Sequence, residues 1–291
     1  MEDFIVFRIK KPLTLFEMTN TEAVELFQQT DIAILSIGST EQHGRHLPMG
    51  TDTLESTDYA KRAAALVEKE GIKVILPTPI PFGVSGHHMY WPGVLSLRPE
   101  TLTQVTLDIC ECLIAHGVRK IILNVGHTGE PQEAALWNAA YHLQKNYGVL
   151  VAIFNRSDLY SIIKPKFLKS EKPFSEGHAG EHETAMTLAI CPELVHMEWA
   201  TKTWVDREPK GGMESKTYIM TSWPYKEPFK NGMRAHAVML GGLDQAYAAG
   251  TGAQGDTTVA TKETGENFLN YIAQELAKLI RVINDTEPIY E

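Results

Sequence analysis

The sequence predicts an α/β fold in three layers, α/β/α, with a mainly parallel central sheet between two layers of helices. Short apolar segments rich in β-branched residues recur along the first half of the chain, and stretches with helical spacing of apolar residues separate them. Strands connected through helices pair in parallel, and the helices then cover both faces of the sheet. The strands' carboxyl ends should therefore lead into loops that can carry ligands.

Four segments are predicted to form strands because each is apolar and rich in β-branched residues. In chain order they are 32–37, 73–76, 120–123 and 149–154. Four further stretches are predicted to be helices: 53–70, 100–116, 131–146 and 261–283. In the second of these, Leu102, Val105 and Ile109 show the helical spacing. Gly71 and Gly117 follow the first two helices, and glycine is common just after a helix end.

The chain shows no internal repeat and no linker that would divide it, so we expect a single domain over residues 1–291. Two stretches depart from the β–α pattern and are rich in Lys, Pro, Gly and aromatic residues: 161–180 and 203–236. We expect long loops or an insertion there, placed to cover a site.

The composition argues against several classes of function. The 291 residues carry a formal net charge of -9, and this acidic balance disfavours nucleic acid and anionic membranes as main partners. No segment approaches the roughly 20 apolar residues of a membrane span, and the N-terminal stretch lacks the apolar run of a signal peptide. The three cysteines are too few for a disulfide framework. We expect a cytoplasmic protein whose partner is a small molecule.

The segment 37–52, IGSTEQHGRHLPMGTD, follows the first predicted strand and offers candidate metal ligands. Glu41 and His43 are two residues apart and can face one point in an extended turn, and the loop after them can bring Asp52 back. Carboxylate oxygens and imidazole nitrogens suit divalent Zn, Mn or Fe. His46 is a further candidate for a supporting or substrate-facing role. The alternative is an ordinary polar surface loop.

The segment 122–130, ILNVGHTGE, places His127 at the end of another predicted strand. Gly126 and Gly129 on either side of this histidine allow the backbone to approach a ligand closely. The alternative is a histidine that only packs. The matching position at a strand's carboxyl end favours a second contribution to the site formed by the first segment.

The segment 176–185, EGHAGEHETA, holds five ionisable side chains ahead of an apolar helix. Such groups are costly to bury unless they serve a metal or one another. They are Glu176, His178, Glu181, His182 and Glu183. The alternative is a solvated helix N-terminus, where acidic residues are favoured in any case.

The segment 83–97, GVSGHHMYWPGVLSL, is predicted to form a pocket wall. His87, His88, Tyr90 and Trp91 would line it, and Ser85 could hydrogen-bond a substrate carbonyl or amine. The alternative is a packed aromatic turn.

These segments together resemble the creatininase (creatinine amidohydrolase) family. The family pattern G-S-x-E-Q-H-G-x-H-L-P-x-x-T-D is matched by GSTEQHGRHLPMGTD at 38–52. The patterns S-x-x-H-x-x-x-P-G, N-G-H-G-G-N and H-A-G-E-x-E-T-S resemble three later stretches of this chain, at 85–93, 124–130 and 178–185. The pattern G-D-P-x-x-A-T-x-E-x-G resembles the stretch from 255 to 265. The likeness spans roughly residues 30 to 275.

The resemblance implies a creatininase-like α/β/α fold, a homo-oligomer that is often a hexamer, and a site with two divalent metal ions, Zn, Mn or Fe. Glu41 and His127 would bind one metal, His43 would bind the other, and Asp52 would bridge them. His178 is predicted to shuttle the proton to the leaving group, with Glu181 as its orienting residue or base. Substrate binding is assigned to the following residues: Ser85, His88, Trp91 and Thr128.

The last carboxylate ligand stays open between two residues. Creatininase itself has a glutamate two places after the motif histidine, where this chain has Gly129. Glu183 is the preferred replacement, and Glu130 is one position late. Val125 is inserted relative to the N-G-H motif, and Ala185 and Thr257 replace a serine and a proline of the family patterns. These departures are compatible with the metal centre, and they leave more than one substrate class open.

Three functions are compatible with this sequence. The first is a hydrolase whose metal-activated water attacks the carbonyl of a small cyclic amide. The second uses the same metals to open a cyclic diketone derived from inositol by C–C bond hydrolysis. The third is a metabolite-binding protein without catalysis, in which the metals are structural. No G-x-S-x-G elbow and no G-x-G-x-x-G after the first strand is present, which argues against a serine hydrolase and a dinucleotide enzyme.

Overall fold

The computed structural model describes residues 11–89, 91–204 and 250–288. Its central sheet has three parallel strands in the order β1-β2-β3, which are Ile32–Ile37, Lys120–Val125 and Leu150–Asn155. The three strands begin side by side, since Ile32 lies opposite Lys120, which in turn lies opposite Leu150. Every residue of β1 and β2 is buried. The predicted parallel sheet is confirmed.

The predicted strand at 73–76 is not a continuous strand in the structure. Ile75 pairs with Ala33 and Ile80 pairs with Ile37, each as a single parallel bridge beside β1. Pro77 lies between the two bridges. A proline has no backbone N–H to donate to the neighbouring strand, so the segment follows the sheet edge without forming a ladder.

The predicted helices are all present, and their ends differ from the predictions by at most two residues. The helices of the described residues are α1 (Asn20–Phe27), α2 (Thr51–Glu68), α3 (Pro99–Ala115), α4 (Glu130–Tyr147), α5 (Tyr160–Phe167), α6 (Glu181–Ile190) and α7 (Lys262–Asn284). None of them combines the length and apolar character that crossing a membrane would require.

The stretch 161–180, predicted to be a long loop, begins inside helix α5. Its Lys and Pro content suggested irregular structure, but Ile163 is fully buried and anchors this short helix against the apolar core. Of the stretch 203–236, only residues 203 and 204 lie within the described residues. There a short strand β4 (Lys202–Thr203) pairs antiparallel with β5 (Gly255–Asp256). Tyr90 of the predicted pocket wall also lies outside the described residues.

Two apolar clusters occupy the two faces of the sheet. Ile32 and Ile34 point into the cluster formed with α2, α6 and α7, whereas Ala33 and Leu35 point into the cluster formed with α3 and α4. Successive residues of a strand face opposite sides of the sheet, so one strand contributes to both clusters. This arrangement is the predicted three-layer α/β/α fold.

The carboxyl ends of the strands lie at one edge of the sheet and lead directly into polar segments. β1 ends at Ile37, and its neighbour β2 ends at Val125. Gly126 follows β2 at a place where a Cβ atom would lie 2.7 Å from Ser56 Oγ and 2.8 Å from the backbone oxygen of Asp52. A larger residue would push the β2 loop away from the start of α2. The glycine therefore allows these two segments to meet at the sheet edge.

Candidate metal centre

The loop between β1 and α2 and the first turn of α2 carry three of the predicted ligands. The Glu41 amide donates to the Met49 carbonyl across 2.9 Å, which closes the loop on itself. Asp52 is in the first turn of α2, where the helix N-terminus favours a negative charge. The side chains of Glu41, His43 and Asp52 are buried, with at most 3% exposed. The sequence thus brings two carboxylates and an imidazole into one water-poor volume.

Three histidines are held in the same manner, each by a backbone carbonyl that faces one ring nitrogen. His43 Nδ1 lies 3.2 Å from the Glu41 oxygen, His127 Nε2 lies 3.4 Å from the Val84 oxygen, and His178 Nε2 lies 2.5 Å from the Gln42 oxygen. A carbonyl only accepts, so the nitrogen that faces it carries the proton. The second nitrogen of each ring is then free to present a lone pair.

These second nitrogens face carboxylates rather than hydrogen-bond donors. His43 Nε2 lies 3.3 Å from Asp52 Oδ1, and His127 Nδ1 lies 3.1 Å from Glu41 Oε2 and 3.3 Å from Asp52 Oδ2. His178 Nδ1 lies 3.8 Å from Glu41 Oε1. Lone pairs and negative charges facing one another need a cation between them, either a proton or a metal ion.

The ligand atoms form three groups in which all members lie within 4.8 Å of one another. One group is Glu41, Asp52 and His127, the second is His43, Asp52 and Glu183, and the third is Glu41, His43 and His178. The first two groups share Asp52. Bonds from Zn²⁺ to such ligands are about 2.0–2.2 Å long, so atoms this close to one another can surround one ion.

Two buried carboxylate oxygens are suited to binding a cation. With His127 donating through Nε2, Glu41 Oε2 and Asp52 Oδ2 accept no hydrogen bond from any described residue. Buried acceptors of this kind are rare unless they serve a ligand. The donor set of oxygen and nitrogen atoms matches Zn, Mn or Fe, so the residues present fit the divalent ions that the sequence predicts.

In the absence of metal, the carboxylates of the site raise the pKa values of the neighbouring histidines. Burial lowers the pKa of His43, but the charges of Asp52, Glu183 and Glu41 outweigh it and raise the pKa to about 10. His127 behaves in the same way, since burial lowers its pKa but Glu41 and Asp52 together outweigh burial and raise the pKa well above the usual range. Protons on these imidazoles would thus take the place of cations.

Glu183 comes from the first turn of α6, and hydrogen bonds from two groups fix its carboxylate. Oε1 lies 3.1 Å from Arg156 Nη2, Oε2 accepts from the Ala179 amide at 2.6 Å, and the same Oε2 lies 3.9 Å from His43 Nε2. Ala179 has a φ of 51°, a conformation that costs energy for a residue other than glycine. Glu130, by contrast, is exposed at the start of α4, and no ligand group includes it. The geometry favours Glu183 for the open ligand position.

The two residues expected to move protons differ in their surroundings. His178 faces the ligand cluster, and burial together with His43 lowers its pKa, which keeps the imidazole neutral near pH 7. The Glu181 carboxylate instead accepts hydrogen bonds from the amides of Lys169 and Ser170, at 2.8 Å each. These contacts support a structural role for Glu181 rather than the catalytic role expected from the sequence.

The predicted pocket wall contributes mainly through its histidines. His88 lies 3.4 Å from Glu41 Oε1 through Nε2 and 3.2 Å from Gln42 Nε2 through Nδ1, and its ring stacks on His178 at 4.3 Å between centroids. His87 stacks on His127 at 5.5 Å.

The other residues assigned to substrate binding vary in exposure. Ser85 is fully buried and shares a hydrogen bond with Ser39, Trp91 is half-buried, and Thr128 is exposed beside His127.

Sequence reasoning missed a buried ion pair behind the cluster. Arg156 pairs with Glu55 through Nη1, and both side chains are at most 2% exposed. Burial raises the pKa of Glu55 to about 8, although Arg156 opposes the shift. One signal was present in the sequence, because Arg156 directly follows a predicted strand, as the Glu41 and His127 segments also do.

Comparisons with known proteins point to one family of hydrolases. The family model for creatininase, described as creatinine amidohydrolase, matches residues 16–280. The chain is 31% identical to the 3-dehydro-scyllo-inosose hydrolase of Thermotoga maritima, over 93% of this chain and 83% of that protein. It is 26% identical to the creatinine amidohydrolase of Pseudomonas putida, over 86% of this chain and 88% of that protein. A crystal structure of creatinine amidohydrolase has the same fold, with a TM-score of 0.70 and 23% identity over 96% of this chain and 100% of that one.

Proposed function

Because this chain belongs to the creatininase family of hydrolases, we propose that it hydrolyses a small carbonyl substrate at a site with two divalent metal ions. The observation that carries this proposal is the set of imidazole nitrogens turned towards buried carboxylates, with Asp52 shared between two ligand groups. The proposed ligands are Glu41, His43, Asp52, His127 and Glu183.

Divalent metal ions and the protein would make different contributions to the reaction. Divalent cations in such a site lower the pKa of a bound water from about 15.7 towards about 7, so that hydroxide is available at neutral pH. The contribution of the protein is to hold the ligands rigidly and to exclude bulk water. The buried carboxylates of Glu41 and Asp52 and the carbonyl-anchored rings of His43 and His127 provide that rigidity.

We propose that His178 carries the proton between the attacking water and the leaving group. Its Nε2 is fixed on the Gln42 carbonyl, so Nδ1 is the atom that accepts and then donates the proton. The lowered pKa keeps Nδ1 unprotonated at the start of the reaction, as a base requires. Since Glu181 is occupied by backbone amides, this step uses His178 without it.

For the substrate we propose a cyclic diketone derived from a polyol. The Thermotoga maritima relative, named for its action on 3-dehydro-scyllo-inosose, is 31% identical over 93% of this chain, and the histidine-rich wall of His87 and His88 suits hydroxyl groups. Hydroxide would add to one carbonyl, and the ring C–C bond beside it would break. The electron pair would remain on the adjacent carbon as the enolate of the second carbonyl, and that carbon would take the proton from His178.

A cyclic amide is the second candidate, and the 26% identity to a creatinine amidohydrolase favours it. Hydroxide would again add to the carbonyl, but the C–N bond would break and the nitrogen would take the proton. The two candidates use the same ligands and the same proton carrier, so they differ only in the leaving atom. Product identity therefore decides between them.

The test is to incubate the purified protein with an inositol-derived cyclic diketone and, separately, with creatinine, and to identify products by NMR. We expect ring opening of the diketone, its loss after treatment with a chelator, and its recovery with Zn²⁺ or Mn²⁺. Conversion of creatinine alone would favour the amide, and binding without turnover would favour the metabolite-binding alternative. Full activity in metal-free protein would refute the metal mechanism.

Assembly and location stay predictions. We propose a cytoplasmic homo-oligomer, with a hexamer as the first expectation, and light scattering of the purified chain would determine its mass.

A further inference from the structure

Arg156 lies behind the candidate metal centre, with its guanidinium among three carboxylates. Nη1 pairs with Glu55, while Nη2 lies 3.1 Å from Glu183 Oε1 and 3.7 Å from Asp52 Oδ1. Asp52 and Glu55 are one turn apart on α2, and Glu183 is in the first turn of α6. A single side chain that follows β3 thus ties together the first turns of the two helices that present these acids.

We propose that Arg156 is a positioning residue that orients Glu183 and thereby sets the affinity of the cation position formed by His43, Asp52 and Glu183. This inference rests on the proposed function, because it assumes that Glu183 is a metal ligand. It assigns Arg156 no contact with substrate and no part in moving protons.

The contacts of Glu183 explain why the arginine is needed. Oε1 is held by Arg156, and Oε2 accepts from the Ala179 amide at 2.6 Å, so the carboxylate cannot turn about its last bond. In this orientation Oε2 is the oxygen that faces His43. Without the guanidinium, Oε1 would lose its hydrogen bond, and repulsion from Glu55 and Asp52 would favour other rotamers of Glu183.

The shape of the guanidinium matters as much as its charge. Two nitrogens of the planar fork reach two different acids, Glu55 and Glu183, at the same time. Glu55 is held in turn by the Thr187 hydroxyl, which donates to Oε1 at 3.1 Å. A lysine would keep the charge, but its single ammonium cannot bridge both carboxylates in the same geometry.

The effect should be confined to one of the two cation positions. The group of Glu41, Asp52 and His127 approaches Arg156 only through Asp52, at 3.7 Å. The group that contains Glu183 has the direct 3.1 Å contact. A general loss of structure would weaken both positions, so a selective loss distinguishes positioning from stability.

The test compares Arg156→Lys with the matched control Arg62→Lys. Arg62 also bridges two helices, contacting Asp58 on α2 at 2.5 Å and Glu266 on α7 at 2.6 Å, but none of the ligand groups includes either acid. Metal-free protein is titrated with Mn²⁺ and with Zn²⁺ by calorimetry, and turnover is measured at several metal concentrations. The thermal unfolding of each variant confirms that it is folded.

For Arg156→Lys we expect one metal equivalent to bind about 10–100-fold more weakly, the usual effect of removing a residue that supports a ligand. The other equivalent should change less than about 3-fold, excess metal should restore most of kcat, and KM should be unchanged. Arg62→Lys should bind both equivalents as the wild type does.

Wild-type binding of both equivalents by Arg156→Lys, or an equal loss at both, would overturn the inference. If Arg156→Lys does not fold, Thr187→Val carries the test, with a smaller loss at the same equivalent expected and unchanged binding as the contrary result. A wild-type protein that binds no metal would instead refute the proposed function, so the two failures are distinguishable.

Discussion

Asp52 is the residue on which both halves of the candidate centre depend. Its Oδ1 lies 3.3 Å from His43 Nε2, and its Oδ2 lies 3.3 Å from His127 Nδ1. Each carboxylate oxygen therefore serves a different ligand group. Asp52 is the residue that the first two groups have in common.

We predict that Asp52→Asn abolishes binding of both metal equivalents and lowers kcat by at least about 10³-fold, since the amide offers one oxygen and no negative charge. Metal content after dialysis, measured by mass spectrometry, checks this. Asp58→Asn is the control on the same helix, because Asp58 pairs with Arg62 and belongs to no ligand group. Retention of both metals by Asp52→Asn would contradict the shared-ligand arrangement.

At this scale the sequence predicted the residues that gather at the site, but not what supports them. Glu41, His43 and His127 could be singled out because polar groups directly followed predicted strands. Arg156 follows a strand as well, yet its partner Glu55 is 101 positions away in the sequence. Glu55 lies in α2, where the sequence alone does not distinguish a buried glutamate from an exposed one. Glu181 was singled out because an acid near a histidine motif suggested chemistry, and its carboxylate accepts hydrogen bonds from two backbone amides that the sequence pattern does not reveal.

At the scale of elements, the crossing of α6 and α7 positions Glu183. A Cβ atom at Gly265, near the start of α7, would lie 1.8 Å from the backbone oxygen of Ala185 on α6. The glycine thus lets the two helices approach until their backbones touch. Any larger residue would displace α6, and with it the first turn that carries Glu183.

We predict that Gly265→Ala destabilises the protein by about 1–3 kcal/mol, as overpacking does, and weakens one metal equivalent. In a helix with free space at this position, replacing Gly by Ala would stabilise the protein by about 1 kcal/mol. Destabilisation by Gly265→Ala would therefore indicate the close contact with α6. Denaturation by urea measures it. Gly50→Ala is the control, because no atom lies within 4 Å of a Cβ there, and we expect less than about 1 kcal/mol. A stabilised Gly265→Ala variant would show that α6 and α7 are further apart.

The sequence predicted best those helices whose apolar residues recur with helical spacing and those strands whose residues are all buried. β1 was predicted with the bounds it has, because all six of its residues are buried between two helix layers. The 73–76 segment looked similar, but its pairing also depends on the prolines that follow, which limit it to single bridges. Helix α5 was missed because its Lys and Pro content outweighed the few apolar residues that anchor it.

At the scale of the whole molecule, the fold concentrates buried polar groups at one edge of the sheet. The two apolar clusters hold the layers together on either side of the sheet. Glu41, Asp52, Glu55 and Glu183 are all buried near one another at the edge where β1 and β2 end. Like charges at these distances repel, and in the metal-free protein Arg156 and protons on His43 and His127 offset that repulsion. Stability of the metal-free protein should therefore depend on pH.

His46, which belongs to none of the ligand groups, makes a pH dependence of stability measurable. Burial lowers its pKa from 6.5 to about 4, with His43 adding to the shift, and its Nε2 hydrogen-bonds Thr184 Oγ1 on α6 at 2.8 Å. The unfolded chain therefore binds the proton more readily than the folded one. The contribution of His46 to stability is complete above pH 6.5 and is lost as the pH falls towards about 4.

We predict that at about pH 5 the wild type loses about 2 kcal/mol of unfolding free energy through His46 alone, relative to about pH 7.5. His46→Gln keeps a donor for Thr184 but cannot titrate, so its loss over this range should be smaller by about that amount. Urea denaturation of metal-free wild type and variant at the two pH values measures the difference. Parallel losses in the two proteins would mean that His46 is not buried as a neutral group, and that the loop after β1 does not pack against α6 in the way that brings His43 and Glu183 together.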